Sequence, residues 1–480
     1  MRIGLIAEGS YPYISGGVSS WIQMLIESMP DQEFEIISLS EKERNEQDRR
    51  YQIPANVTGI TDINLNGKKQ SMKPSAQLTD HDKLKLEQWI LYNKINEHAL
   101  AVLGNADKVG TAEQFFNSPF FWEMMESSYQ LENGMHSFIA YISMWKSQLT
   151  PIIHLLQQPF PNVDIIHSVS TGYAGLVAAY LKITRNIPFI LTEHGIYGRE
   201  REEEILQAGW IPHDFKKQWI RFFYQLSSSA YDHADDVITL FQKNSDFQRH
   251  LGAPAEKLKV IPNGVDFHKY AALAKQDSGT KLRIGAIIRV VPIKDIKTMI
   301  LSASYLKEEN IPFEFLIMGP TEEDEEYASE CQNLIDILGL EKEVFLTGRI
   351  NIVDMLASLD VCVLSSISEG QPLAVLEGMA AGIPWVTTDV GCCTELIHGG
   401  RSDRFGQAGF VVPPVNPKAM AEKLKWYYEN PEEGIRFGLN GQNRVEAFYQ
   451  ISQVTEAYSV IYHERGEASG RNRVSSSAVI

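Results

Sequence analysis

Residues Arg2–Trp21 read RIGLIAEGSYPYISGGVSSW. The apolar run from Ile3 to Ala7 is stopped by Glu8 and Gly9, which is the length and ending of a buried strand. Gly16 and Gly17 then mark a turn, and VSSW opens a helical pattern. Strand, glycine turn and helix in that order begin a βαβ unit, the element of a parallel sheet covered by helices. The chain is therefore expected to be α/β.

Outward from this unit the rhythm repeats. Further strands are expected at EFEIISLS, VDIIHSVS, PFILTEHG, DVITLF and LKVIPNG, and later at RIGAIIRV, FEFLIMGP, VFLTGR, VCVLSS and PWVTTD. Each ends in small or polar residues, where ligand-facing loops begin in doubly wound sheets. At 480 residues the chain exceeds the roughly 250 to 300 that one hydrophobic core serves, so two domains are expected. The polar stretch His268–Leu282 reads as the linker. The expected layout is a first Rossmann-like domain over 1–272 with a helical insertion over about 61–160, and a second over 280–440. A helix over 441–465 is expected to cross back to the first domain, and 466–480 to be a disordered tail. The aromatic stripes of the insertion read as core. The cleft between two such halves is the default ligand site.

Composition narrows the function. With 61 acidic against 44 basic residues the formal charge is -17, which repels nucleic acid and anionic lipid. No run of about 18 apolar residues suggests a membrane span, and the start lacks the features of a signal peptide. The four cysteines, Cys331, Cys362, Cys392 and Cys393, show no zinc or redox spacing and read as buried thiols in a reducing cytoplasm. No Walker A loop, H-E-x-x-H or G-x-S-x-G elbow is present.

Chemistry concentrates in SEGQPLAVLEGMAAG, Ser368–Gly382. Pro372 suits the first turn of a helix, which leaves Glu369 in the loop before the helix start and Glu377 more than a turn inside. Free N–H groups at a helix start attract phosphate, and a deeper carboxylate can accept from ribose hydroxyls. The plainer alternative is a dipole-complementing Glu369 and a solvated Glu377. Arg289 ends one expected strand and Lys294 follows it, so the two cations could hold a diphosphate; a surface pair is the alternative. Gly16 and Gly17 would let a ligand approach the backbone, or simply make a tight turn. His194 in LTEHG and His167 in DIIHSVS stand at strand ends, where either could be functional or structural.

Taken together, SGGV, EHG, IPNGVD, R-x4-K, FLTGR and E-x7-E, present in this order, resemble the retaining GT-B glycosyltransferases that include sucrose and glycogen synthases. The resemblance covers Ile3 to about Leu424. It is closer to the glycosyltransferases of Pel exopolysaccharide synthesis, on AEGSYPYISGGVSSW, HSVSTGYAG, LTEHGIYGRE and IMGPTEEDEEYA.

The resemblance implies a GT-B fold, two Rossmann-like domains facing across a cleft, and retaining transfer from a UDP-sugar to a growing polysaccharide acceptor. It also implies a cytoplasmic enzyme, recruited to the inner face of the membrane by membrane-embedded Pel synthesis and export proteins. No metal or other cofactor is expected. By position, Arg289 and Lys294 would contact the donor diphosphate, Glu369 the sugar and Glu377 the ribose. Backbone N–H groups at Leu373 and Ala374 would hold phosphate, and Arg349 and Ile350 in TGRIN would meet uracil. His194 would sit near the anomeric carbon and Gly16–Gly17 near the diphosphate. The stretch EGQPL departs from the Glu-Gly-Phe-Gly of many relatives at Gln371 and Pro372. Rival readings are a GT-B-type UDP-sugar epimerase, a sugar phosphorylase, or a catalytically idle nucleotide-sugar-binding scaffold subunit of a secretion complex.

Overall fold

The computed structural model describes residues 1–67, 76–131, 137–273, 279–400 and 402–477, with side chains as far as residue 467. The chain divides into two compact units, residues 1–261 with 457–480, and residues 262–456.

Seven parallel strands form the sheet of the first unit: β1 (Arg2–Glu8), β2 (Glu33–Ser40), β3 (Val57–Asn64), β4 (Ile165–Ser168), β5 (Phe189–Glu193), β6 (Asp236–Thr239) and β7 (Leu258–Val260). Their order is β3-β2-β1-β4-β5-β6-β7, so the winding reverses between β1 and β4. Ile3, Leu5, Ile6 and Ala7 of β1 are fully buried. A central strand covered on both faces needs such an unbroken apolar run, which is why this stretch is legible. β3 was not expected. It lies at the sheet edge with only Ile63 buried, and its threonines, glycine and aspartate blur the strand pattern.

The helical insertion therefore begins after β3, at Asp80–Tyr92, and ends with Phe138–Leu156, rather than opening at 61. Its aromatic residues make a core of their own: Trp89, Phe115, Phe121, Tyr141 and Trp145 pack with Phe222 and Leu226 of the helix His213–His233.

The second unit holds six parallel strands: β8 (Leu282–Ile287), β9 (Phe313–Met318), β10 (Val344–Gly348), β11 (Val361–Leu364), β12 (Trp385–Thr388) and β13 (Gly409–Val412), ordered β10-β9-β8-β11-β12-β13. β13 was also missed. It has four residues at an edge, and it is set by Gly409, where a Cβ would lie 2.0 Å from the Trp385 carbonyl oxygen. Both sheets thus have the doubly wound order, the fold expected from the sequence.

Two boundaries differ from expectation. The chain passes between units at Ile261/Pro262, before the polar stretch 268–282. Residues 262–266 belong to the second unit because Val265 pairs with Gln450 and donates its N–H to the Tyr449 carbonyl. Residues 274–278 of the expected linker lie outside the described residues. The helix Ile451–Ser477 continues through most of the expected tail, of which 478–480 lie outside the described residues. Its anchor lies just before that tail. Arg465 binds Asp236 through two bonds, of 2.7 and 2.9 Å, and Tyr458 and Tyr462 are buried just before it.

Candidate functional site

In a doubly wound sheet the loops on either side of the reversal point diverge and leave a crevice at the strand carboxyl ends. In the second unit the reversal lies between β8 and β11. The loops concerned are Ile288–Asp295 and Ser365–Pro372, which carry Arg289, Lys294 and Glu369.

These loops are bonded to each other. The Ile367 N–H donates to the Ile293 carbonyl at 2.9 Å, and the Ser365 hydroxyl to the Lys294 and Asp295 carbonyls at 2.7 and 2.9 Å. Lys294 Nζ lies 2.5 Å from Glu369 Oε1, with both side chains largely buried. Ser366 donates to the same oxygen at 2.6 Å. The expectation that Lys294 serves phosphate and Glu369 serves sugar thus meets a structure in which they form one ion pair.

The next segment is the helix Leu373–Ala380. Pro372 is its N-cap rather than its first helical residue, and offers no side-chain cap. The first bonds into the helix come from Val375 and Leu376 N–H to the Pro372 carbonyl, so the Leu373 and Ala374 N–H groups precede the ladder. Gly378 lets this helix lie against the sheet, since a Cβ there would lie 2.6 Å from the Trp385 ring. Glu377 is partly buried in the helix. Burial pushes its carboxyl above the usual range, against a hydrogen bond from Tyr270 and the nearby charge of Lys269.

Gln371, the departure in EGQPL, faces inward. It is buried, and its Oε1 accepts from the Asn263 N–H at 2.5 Å. The amide is committed to the IPNG turn.

Arg289 and Arg349 are the exposed members. Arg289 pairs with Glu323 at 2.7 Å and Arg349 with the adjacent Glu322 at 3.2 Å, which brings the loops after β8, β9 and β10 to one rim. Gly348, with φ at 67°, makes the turn that carries Arg349 and the partly buried Ile350, and its carbonyl accepts from Gly319 N–H at 3.0 Å.

The first unit carries the remaining expected residues. The helix Gly17–Glu27 starts after Gly16 with no side-chain cap. A Cβ on Gly16 or Gly17 would meet nothing within 4 Å, so packing does not require glycine at either position. His194 packs edge-on against Trp21, with ring centroids 4.8 Å apart, and its Nε2 is buried without a hydrogen-bond partner. Burial lowers its pKa to about 4 and leaves a neutral imidazole near neutrality. His167 is structural: one ring nitrogen pairs with the Tyr462 hydroxyl at 2.6 Å and the other with Thr192 at 2.8 Å.

Ser366 was missed by sequence reasoning, although Ser-x-x-Glu before the helix could have flagged a hydroxyl within reach of Glu369. Among the described residues no group of three or more His, Cys, Asp or Glu is placed to hold a metal ion, and no helix is long and apolar enough to cross a membrane.

Comparison with known proteins bears on both units. Residues 1–256 match the family model described as domain of unknown function (DUF3492), and residues 273–444 that of glycosyl transferases group 1. The chain is 24% identical over 314 residues to an MMP alpha-(1->4)-mannosyltransferase of Mycolicibacterium hassiacum, covering 63% of this chain and 71% of that one. It is 26% identical over 318 residues to an N,N'-diacetylbacillosaminyl-diphospho-undecaprenol alpha-1,3-N-acetylgalactosaminyltransferase of Campylobacter jejuni, covering 63% and 77%. In fold it is similar to Anabaena HepE solved with UDP and glucose, at a TM-score of 0.58 and 15% identity over 96% of this chain and 99% of that one. Sucrose-phosphate synthase of Thermosynechococcus elongatus gives 0.62 and 15% over 97% and 99%. The chain belongs to the DUF3492 family and carries a group 1 glycosyltransferase domain within a GT-B fold.

Proposed function

We propose that the chain is a retaining glycosyltransferase that moves a hexose or N-acetylhexosamine from a UDP-sugar to a growing Pel-type exopolysaccharide, without a metal. The observation that carries this reading is the grouping of Lys294, Glu369 and an uncapped helix start beside the β8/β11 reversal. A buried cation and free N–H groups suit a diphosphate that gains negative charge as it departs. A carboxylate held next to them suits a sugar hydroxyl.

In this reading Arg289 and Lys294 stabilise the leaving UDP, Leu373 and Ala374 N–H groups bind its phosphates, Glu377 takes the ribose, and Arg349 and Ile350 meet the uracil. Glu369 binds the donor sugar, Gly16 and Gly17 bring backbone towards the diphosphate, and His194 stands near the anomeric carbon. The acceptor oxygen attacks the anomeric carbon on the face from which UDP leaves, the bond to the β-phosphate oxygen breaks, and the departing phosphate takes the acceptor proton. Membrane-embedded Pel synthesis and export proteins would be the partners, at the inner face of the cell membrane.

The test is calorimetric titration with UDP, UDP-glucose, UDP-N-acetylglucosamine, UDP-N-acetylgalactosamine and GDP-mannose. Micromolar binding of UDP and one UDP-sugar, with none of GDP-mannose, is expected. Absence of all nucleotide binding would overturn the reading, and UDP-sugar binding without UDP release would favour the idle scaffold.

A further inference from the structure

Glu369 has two carboxylate oxygens, and the described residues treat them unequally. Oε1 receives Lys294 Nζ at 2.5 Å and the Ser366 hydroxyl at 2.6 Å. No hydrogen bond to Oε2 is found among the described residues. Neither donor is loosely placed. Ser366 is fully buried two residues beyond the end of β11, and its carbonyl accepts from the Thr388 hydroxyl at the end of β12 at 2.7 Å. The Lys294 turn is fixed by Ser365 through its carbonyl and that of Asp295. Both donors are therefore held at the strand ends: Ser366 at the start of the loop that carries Glu369, bonded to β12, and Lys294 through its neighbour Ser365.

We infer that Ser366 is a positioning residue: with Lys294 it holds Oε1 of Glu369 and so leaves Oε2 as the oxygen that meets the donor sugar. A carboxylate on a loop otherwise rotates about its side-chain torsions. Two donors on one oxygen, one of them charged, remove that freedom before the ligand arrives. The inference rests on the proposed function and adds a residue that contacts Glu369 and not the ligand.

The experiment measures UDP and UDP-sugar binding and UDP release on the full chain. Ser366→Ala should lower kcat and weaken UDP-sugar binding, each by about 10-fold, the scale of one hydrogen bond to a charged group. UDP affinity should stay within about twofold on the same principle, because Glu369 does not address the nucleotide. In a Glu369→Ala background, Ser366→Ala should cause no further loss of UDP-sugar affinity. Ser366→Cys, which keeps the volume and weakens the donor, should behave as Ser366→Ala and serves if the alanine variant does not fold. Equal losses for UDP and UDP-sugar, additive losses in the Glu369→Ala background, or unaltered kinetics would each overturn the inference. If the unaltered chain binds UDP but Ser366→Ala has no effect, only this inference fails; if it binds no nucleotide, both fall.

Discussion

Glu193 at the end of β5 and Glu369 beyond the end of β11 are both carboxylates at the carboxyl edge of a parallel sheet, in units with the same strand logic. Glu193 is saturated. Its oxygens accept from the Thr171 hydroxyl at 3.1 Å, the Tyr197 N–H at 3.0 Å, the Tyr231 hydroxyl at 2.6 Å and Gln248 at 3.0 Å. Burial still pushes its carboxyl above the usual range, against the effect of those donors. Glu369 has one oxygen engaged, beside an uncapped helix start. A strand-end carboxylate that is fully bonded inside its own unit ties loops together; on the proposed reading, one that is half bonded keeps an oxygen for a ligand. The dipeptide Glu193–His194 thus divides into a structural glutamate and a histidine whose buried Nε2 has no hydrogen-bond partner.

The sharpest break of this comparison is a pair of alanine substitutions. Glu369→Ala should remove transfer, by about 10³-fold in kcat on the scale of a lost transition-state contact, while UDP affinity stays nearly intact and stability falls by less than in Glu193→Ala, because two donors rather than four lose their acceptor. Comparable loss of UDP affinity in Glu369→Ala and Glu377→Ala would erase the division between sugar and ribose roles. Glu193→Ala should act on folding instead. It leaves several buried donors without an acceptor, at a cost of about 3 kcal/mol or more, read as a lower midpoint in denaturant. A Glu193→Ala chain of full stability with lost transfer would put Glu193 in the site and collapse the contrast.

What the sequence disclosed follows the same line. β1, β5 and β11 are legible because central strands need unbroken apolar runs, whereas β3 and β13 escaped because edge strands tolerate glycine and threonine. Glu369 and Lys294 were legible as separate charges from spacing beside a helix start. Their mutual pairing was not, because it depends on the β8/β11 reversal, which only strand order supplies. Gln371 was legible only as a departure from Glu-Gly-Phe-Gly; that its amide turns inward to Asn263 was not, the partner being more than a hundred positions away.

A smaller effect sharpens the contrast within the first unit, between His167, bonded at both nitrogens, and His194, whose Nε2 has no partner among the described residues. Burial lowers the His194 pKa from 6.5 to about 4. Between these values the unfolded chain binds a proton that the folded chain refuses, so stability falls as pH drops from 6.5 towards 4 and is independent of this group above that window. Glu8, Glu193 and Glu377, whose carboxyls are raised by burial, oppose this at the acidic end, but they are common to both chains in a comparison with His194→Gln. The melting-temperature difference between the unaltered chain and His194→Gln should therefore shift in favour of the variant as pH falls from 6.5 to 5, and be flat from 7 to 8. A difference that does not change with pH would mean that His194 is protonated at no cost in the fold. Its nitrogen would then be open to solvent, and its likeness to the half-bonded Glu369 would be lost.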